Sequence, residues 1–345
     1  MNASFDRIFL KKRYPLQISR GTITGSENLF VTVKTFGQTG VGELAAATTE
    51  TGENCQTGYD QLKPFIDGLP DNPSIVKTYA EARARGIGPR ALAALDIALW
   101  DAFAKQANQP LWRLFGLSKS APPTSLTVGI NPPEITRERV PEILARTGAK
   151  SLKIKLGSPD GIEADKQHFL AARDAAKPFK AALRIDANGG WNLSDAKTML
   201  QWLAERDVAY VEQPLKKGDE DQLPELFKKR PIPIYVDESI WYASDIPKLA
   251  DRVDGINLKL MKCGGLTEAL RILATARAHG LGTMIGCMGE SSIDISAGAA
   301  ISSLCDHVDL DSHFNLINDP AIGAEMLDGV VTPNDKPGHG ASFIL

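Results

Sequence analysis

"SLKIKL" (151–156) places two lysines, Lys153 and Lys155, inside an otherwise apolar, strand-like run. Side chains two apart on a strand share a face, so both ammonium groups point one way while Leu152 and Ile154 point the other. Like charges that close repel, and a buried lysine is costly unless something compensates it. A strand of this kind reads as the wall of a site.

Similar runs recur on either side. "SLTVGI" (125–130), "SLKIKL", "ALRIDAN" (182–188), "VAYVEQP" (208–214), "PIYVDES" (233–239), "DGINLKL" (254–260), "LGTMIGCM" (281–288) and "HVDLDS" (307–312) make eight strands. They lie about 20 to 30 residues apart, with helical segments between them. Strand and helix alternating in this way imply right-handed βαβ units and a parallel sheet. Eight units point to a closed (β/α)8-type barrel, although an open doubly wound sheet would give the same pattern. No GxGxxG follows the first strand, which weakens the nucleotide-binding version. Before "SAPPTS" (120–125), which marks a domain boundary, the chain mixes types. "ENLFVTVKTF" (27–36) is strand-like, and "PRALAALDIALWDAFAK" (89–105) has apolar residues at helical spacing with Pro89 suited to a first turn.

The whole chain sets outer bounds. Its 345 residues exceed the usual single-core size, so two domains are expected. A composition of 43% hydrophobic and 23% charged residues is that of an ordinary globular protein. The net charge of −3 gives no electrostatic reason to expect nucleic acid or an anionic membrane surface as partner. No apolar run approaches the roughly 20 residues that span a bilayer, and the N-terminus lacks a secretory pattern. Cys55, Cys263, Cys287 and Cys305 are scattered without a CxxC pair, as expected of free thiols in a reducing cytoplasm.

Polar residues gather at the C-terminal ends of the strands: Lys153 and Lys155, Asp186 and Asn188, Glu212 and Gln213, Asp237 and Glu238, Lys259, then Asp309 and Asp311. In a barrel those ends form the face on which active sites are built. Each alone could be a helix cap or a loop ion pair; the ordered set reads as a site. Asp186, Glu212 and Asp237, on consecutive strands, would converge on one point and repel unless a cation neutralised them. Hard oxygen ligands without Cys or His select Mg²⁺, with Mn²⁺ as a substitute.

The lysines then fall into place. The second and sixth strands lie on opposite sides of an eight-strand ring, and the three acidic strands fill the arc between. A substrate carboxylate on the metal would hold its α-carbon between Lys155 and Lys259. One lysine can remove the α-proton while the other returns a proton to the opposite face. Metal coordination would stabilise the enediolate so formed. Lys153 is expected to lower the pKa of Lys155 and to touch the bound carboxylate.

These residues resemble the enolase superfamily, and within it the muconate lactonising subgroup. The matches are "KIK" (153–155), "DANGGW" (186–191), "VEQP" (211–214), "DES" (237–239) and "LKLMKCGG" (258–265). The resemblance implies an α/β fold, a modified TIM barrel (β/α)7β over residues 119–313. An α+β capping domain over 1–118 would be completed by the C-terminal segment 314–345, with "DKPGHG" returning to the cap. The family pattern selects Lys259 as the second base and puts Lys262 in the following loop. The mandelate racemase branch uses a histidine on the seventh strand, and "MIGCMGES" has none.

Within the subgroup, a DxD pair at the eighth strand end is a mark of dipeptide epimerases, where it binds the substrate ammonium; here it is "DLD" (309–311). Two carboxylates on one face make a good ammonium seat. "GCMGES" (286–291) resembles the seventh-strand loop that lines the substrate site, which nominates Cys287, Met288 and Gly289. Arg20, in the Gly- and Thr-rich "ISRGTITG" (18–25), matches an arginine that meets the distal carboxylate of alanyl-glutamate in a mobile lid. The resemblance therefore implies a Mg²⁺-dependent dipeptide epimerase, cytoplasmic and homo-oligomeric, acting on L-Ala-D/L-Glu from peptidoglycan recycling. An o-succinylbenzoate synthase, an N-acylamino acid racemase and a muconate cycloisomerase would use the same lysines and metal.

Overall fold

Alternating residues near the N-terminus build an antiparallel sheet from β1 (Asn2–Ile18), β2 (Gly21–Thr35) and β3 (Gln38–Leu44), in that order. The structure is a computed structural model that describes residues 1–46 and 51–344. Leu29, Val31 and Val33, at period two on β2, are fully buried against the helix Pro89–Gln106. Gly40 and Gly42 bring that helix onto β3: a Cβ at either would lie 1.9 Å from Ala98 O or 2.1 Å from Ala94 O. Any larger residue would push the helix off the sheet.

The helix is buried on its other side as well. Asp96 accepts from Thr267 N at 2.9 Å and from Thr267 Oγ1 at 2.5 Å, and Trp100 Nε1 donates to the same hydroxyl at 2.9 Å. Tyr79, on the neighbouring helix Ile75–Ala84, donates to Cys263 O at 2.6 Å. The N-terminal elements thus rest on the segment that follows Lys259.

All eight strands read from the sequence form one parallel sheet. They are β4 (Ser125–Val128), β5 (Ser151–Lys155), β6 (Ala182–Asp186), β7 (Val208–Glu212), β8 (Ile234–Val236), β9 (Gly255–Lys259), β10 (Gly282–Gly286) and β11 (His307–Asp309), in sequential order. A parallel bridge between Thr124 and Val308 joins the two outer strands and closes the ring. Leu152 and Ile154 are fully buried, and each such side chain stabilises by about 1.5–3 kcal/mol. Register aligns the strand ends: Lys155 lies beside Asp186, Asp186 beside Glu212, and Gly286 beside both Lys259 and Asp309. Tyr210, Tyr235 and Met284 plug the opposite end of the ring, with the His307 ring centred 4.7 Å from that of Tyr210 and tilted 46° to it. Among the described residues, no closing helix of barrel type follows β11. Short strands Ala321–Ile322 and Ser342–Phe343 pair instead, and Phe343 packs edge-on against Phe30 of β2 at 5.4 Å. Within "DKPGHG", Gly338 O accepts from Leu111 N at 2.8 Å and His339 N donates to Asp101 at 3.0 Å. Among the described residues no helix is long and apolar enough to cross a membrane, and the four cysteines are free.

A buried acidic group sits where β3 meets the barrel. Glu43 accepts from Asn28 Nδ2 and Ser291 Oγ, each at 2.6 Å, and from Ser291 N at 3.0 Å. Burial outweighs those donors and, with Glu290 nearby, pushes its pKa up to about 8. Burial likewise raises Glu290 to about 7, and burial together with Glu43 raises Asp294. An acid whose folded pKa exceeds its unfolded value stabilises fully below the unfolded pKa, and that contribution is lost as pH rises through the folded one. The thermal midpoint should therefore fall as pH increases from about 5 to about 8, and Glu43→Gln should flatten the decline. A wild-type midpoint constant across that window would show that these groups do not titrate with folding.

Candidate active site

The mouth of the ring gathers the residues read from the sequence. The oxygens of Asp186, Glu212 and Asp237 come within 4.8 Å of one another, and all three residues are buried. Each is held from behind. Asp186 accepts from Asn188 N at 2.8 Å, and Glu212 accepts from Asn257 Nδ2 at 2.7 Å. The backbone N–H of Asp237 donates to Gln213 Oε1 at 2.8 Å. Asn188, two residues after Asp186, and Gln213, next after Glu212, take positive φ of 44° and 40°, a left-handed backbone that bends the chain away past two of the acids. Burial, and then Asp186, push Glu212 up to about 7, whereas Lys155 and Lys153 overcome burial to hold Asp186 down near 2. Three converging carboxylates under such mutual repulsion form an all-oxygen donor set that fits Mg²⁺.

Four ammonium groups surround this triad. Lys153 is 1% exposed and lies 2.6 Å from Asp309, 2.7 Å from Glu212 and 3.2 Å from Asp186. Lys155 donates to Asp186 at 2.5 Å, and Lys259 donates to Asp237 at 2.7 Å. Each outer acid of the triad thus holds one of the two lysines, with Glu212 between, and all three of Lys153, Lys155 and Lys259 line one cavity. Carboxylates stand around Lys153 and, against burial, hold its pKa well above the ordinary lysine range.

The expected place of Lys262 is corrected. It is not in a loop but in the helical turn Leu260–Cys263, closed by Gly264 at φ 88°. Its ammonium is buried and donates to Asp237 O at 2.5 Å, Asn257 O at 3.0 Å and Ile240 O at 3.1 Å, and also to the Asp237 carboxylate. It braces the third acid from beneath.

Asp309 and Asp311 also line the cavity but differ in environment. Both oxygens of Asp309 are taken, one by Lys153 and one by Ser125 Oγ at 2.6 Å. Asp311 accepts from Thr127 N at 2.6 Å, and its other oxygen lies 3.6 Å from Cys287 Sγ. Burial, then Asp309, push it up to about 6. Cys287 and Met288 line the cavity, whereas Gly289 turns towards β2, its carbonyl accepting from Asn28 at 2.7 Å.

Arg20 sits at the tip of the ribbon formed by β1 and β2, and its guanidinium donates to Glu238 at 2.7 Å and Asn188 O at 2.9 Å. It lines a second cavity with Lys216, Lys217 and Trp241. The sequence reading missed Asn257, although it lies two residues before Lys259 on the same strand face, and Lys12, Leu16, Leu126 and Val128, which complete the wall.

Comparison with known proteins bears on the whole arrangement. Residues 7–116 match the mandelate racemase / muconate lactonizing enzyme N-terminal domain, and residues 136–344 the enolase C-terminal domain-like family. The chain belongs to the enolase superfamily. As a member, it is 57% identical over 341 residues to a hydrophobic dipeptide epimerase of Roseobacter litoralis, covering 99% of this chain and 98% of the relative. It is 32% identical to an L-Ala-D/L-Glu epimerase of Bacteroides thetaiotaomicron, covering 100% of this chain and 88% of that one. Among solved structures, a dipeptide epimerase from Cytophaga hutchinsonii complexed with Mg and D-Ala-L-Val is similar at TM-score 0.92 and 27% identity, covering 99% and 95% of the two chains.

Proposed function

We propose that this member of the superfamily is a Mg²⁺-dependent dipeptide epimerase that inverts the α-carbon of the substrate's C-terminal residue. The observation that carries this reading is the placement of Lys155 and Lys259 on the two outer acids of one triad. In it, Asp186, Glu212 and Asp237 hold the ion, with Mn²⁺ as a substitute. When bound there, Mg²⁺ would supply a Lewis acid for the substrate carboxylate and neutralise the three acids. Lys153 donates to the same substrate carboxylate. Lys155 and Lys259 take and return the α-proton on opposite faces. Asp311, with Asp309 behind it, receives the substrate ammonium. That seat disfavours the o-succinylbenzoate synthase, N-acylamino acid racemase and muconate cycloisomerase readings, whose substrates carry no ammonium there.

For the inverted residue we propose an apolar side chain. Leu16, Leu126, Val128 and Met288 line the cavity, and Arg20 is already engaged by Glu238, so the wall favours hydrophobic contact over a distal carboxylate. We assign the cap to 1–118 with 314–345 and the barrel to 119–313, a division supported by the gap between the two family matches at 116 and 136. A homo-oligomer in a reducing cytoplasm completes the proposal.

The test is incubation of the purified protein with Mg²⁺ in D₂O. L-Ala-L-Leu should gain deuterium and yield the L,D product, with kcat/KM above that for L-Ala-L-Glu. Asp311→Asn should cost about tenfold or more, chiefly in KM, since it removes a charge-assisted contact. No exchange with either dipeptide would end the reading, and a faster L-Ala-L-Glu reaction would return Arg20 to the role first expected of it.

A further inference from the structure

Lys12 belongs to the cap but reaches the barrel site. Strand β1 pairs with β2 up to Lys11 and again from Leu16, with a break in register between them. In that gap β1 pairs with the chain after β11 instead. Lys12 bridges Leu316, Tyr14 exchanges two 2.9 Å hydrogen bonds with the Asn315 side chain, and Lys11 N donates to Asn318 at 2.8 Å. These contacts fix β1 against the segment that begins at Asp311. Lys12, Tyr14 and Leu16, at period two, all face the cavity.

The ammonium of Lys12 stands out among these. The residue is only 8% exposed, yet among the described residues its ammonium makes no hydrogen bond or ion pair. The carboxylate that acts on it is that of Asp311, with the neutral Cys287 thiol nearby. Every other lysine at the mouth is neutralised by a carboxylate within 2.7 Å. Once a substrate ammonium takes Asp311, Lys12 is left as an uncompensated cation in a desolvated wall, a costly state unless the ligand brings a negative charge.

We propose that Lys12 selects the first residue of the dipeptide, forming the seat for an acidic side chain there, so that aspartyl and glutamyl dipeptides are preferred over lysyl ones. The inference rests on the reading of Asp311 as the ammonium seat. An N-terminal Asp or Glu presents its carboxylate within two or three bonds of the carbon that bears the ammonium, so one residue can meet Asp311 and Lys12 together. A basic side chain would instead place a further cation beside Lys12.

The experiment measures kcat/KM for L-Ala-L-Leu, L-Asp-L-Leu and L-Lys-L-Leu with wild type, Lys12→Met and Lys12→Glu. Wild type should favour L-Asp-L-Leu over L-Lys-L-Leu. In Lys12→Met the ratio of L-Asp-L-Leu to L-Ala-L-Leu should fall by about 10- to 100-fold, as expected on removal of a charge-assisted hydrogen bond. In Lys12→Glu the ratio of L-Lys-L-Leu to L-Ala-L-Leu should rise. A wild type that turns over L-Ala-L-Leu but treats the two charged dipeptides alike overturns the inference alone, without recourse to any variant. So does an unchanged ratio in Lys12→Met. A wild type inactive on all three overturns the underlying reading as well.

Discussion

Replacing Lys155 or Lys259 by alanine is expected to lower dipeptide epimerisation by roughly 10²–10⁴-fold, the usual worth of a positioned acid–base group. The more telling result is the isotope pattern. In D₂O the intact protein should place deuterium in both epimers as it interconverts them. With Lys259 removed, Lys155 can still exchange the proton on its own face, so one epimer should gain deuterium without being inverted. With Lys155 removed, the other epimer should do so. Complementary exchange cannot come from a damaged fold, and the ion pairs argue that both variants fold. Asp186 keeps Lys153 at 3.2 Å and Asn188 N at 2.8 Å when Lys155 is lost, and Asp237 keeps the buried Lys262 when Lys259 is lost. Either variant epimerising within about tenfold of wild type, or both exchanging the same epimer, would show that the two lysines do not work from opposite faces.

Much of this arrangement was legible because strands report it at period two. With "SLKIKL" as a strand, the acids and lysines at neighbouring strand ends share one mouth, and the register sets Lys155, Asp186 and Glu212 side by side. Asn257 obeyed the same rule, two residues before Lys259, but a lone amide carries no chemistry of its own and was passed over. Lys262 was misplaced because two apolar residues separate it from Lys259. The turn Leu260–Cys263 swings it back beneath Asp237, and the Gly-Gly that follows is the signal of a helix end. Arg20 and Lys12 lay beyond any local pattern. The partner of Arg20 is Glu238, distant in sequence and brought close only when the ribbon tip meets the barrel. Lys12 reaches the cavity because β1 leaves β2 to pair with a segment some 300 residues later, as the Tyr14 to Asn315 bond records.

Removal of the divalent ion is expected to abolish activity, and the protein itself should report the loss. Three buried carboxylates whose oxygens lie within 4.8 Å of one another cannot all remain ionised without cations close by. Lysines alone meet that demand imperfectly, since burial and the two aspartates still push Glu212 up to about 7. After dialysis against EDTA the protein should be inactive, and Mg²⁺, or Mn²⁺ in its place, should restore it. Added Mg²⁺ should also raise the thermal midpoint, because an ion that binds the folded state alone stabilises it by about 2.7 kcal/mol at a hundred times its Kd. Asp186→Asn, Glu212→Gln and Asp237→Asn should each remove most of that shift. Lys262→Met touches no ligand position, yet it too should weaken Mg²⁺ binding, because it takes away the donor that braces the Asp237 carboxylate and leaves the carbonyls of Ile240 and Asn257 without it. A midpoint indifferent to Mg²⁺, together with full activity after EDTA, would mean that the lysines alone neutralise the triad. The substrate carboxylate would then have no ion to hold it, and Lys153 alone would have to bind it.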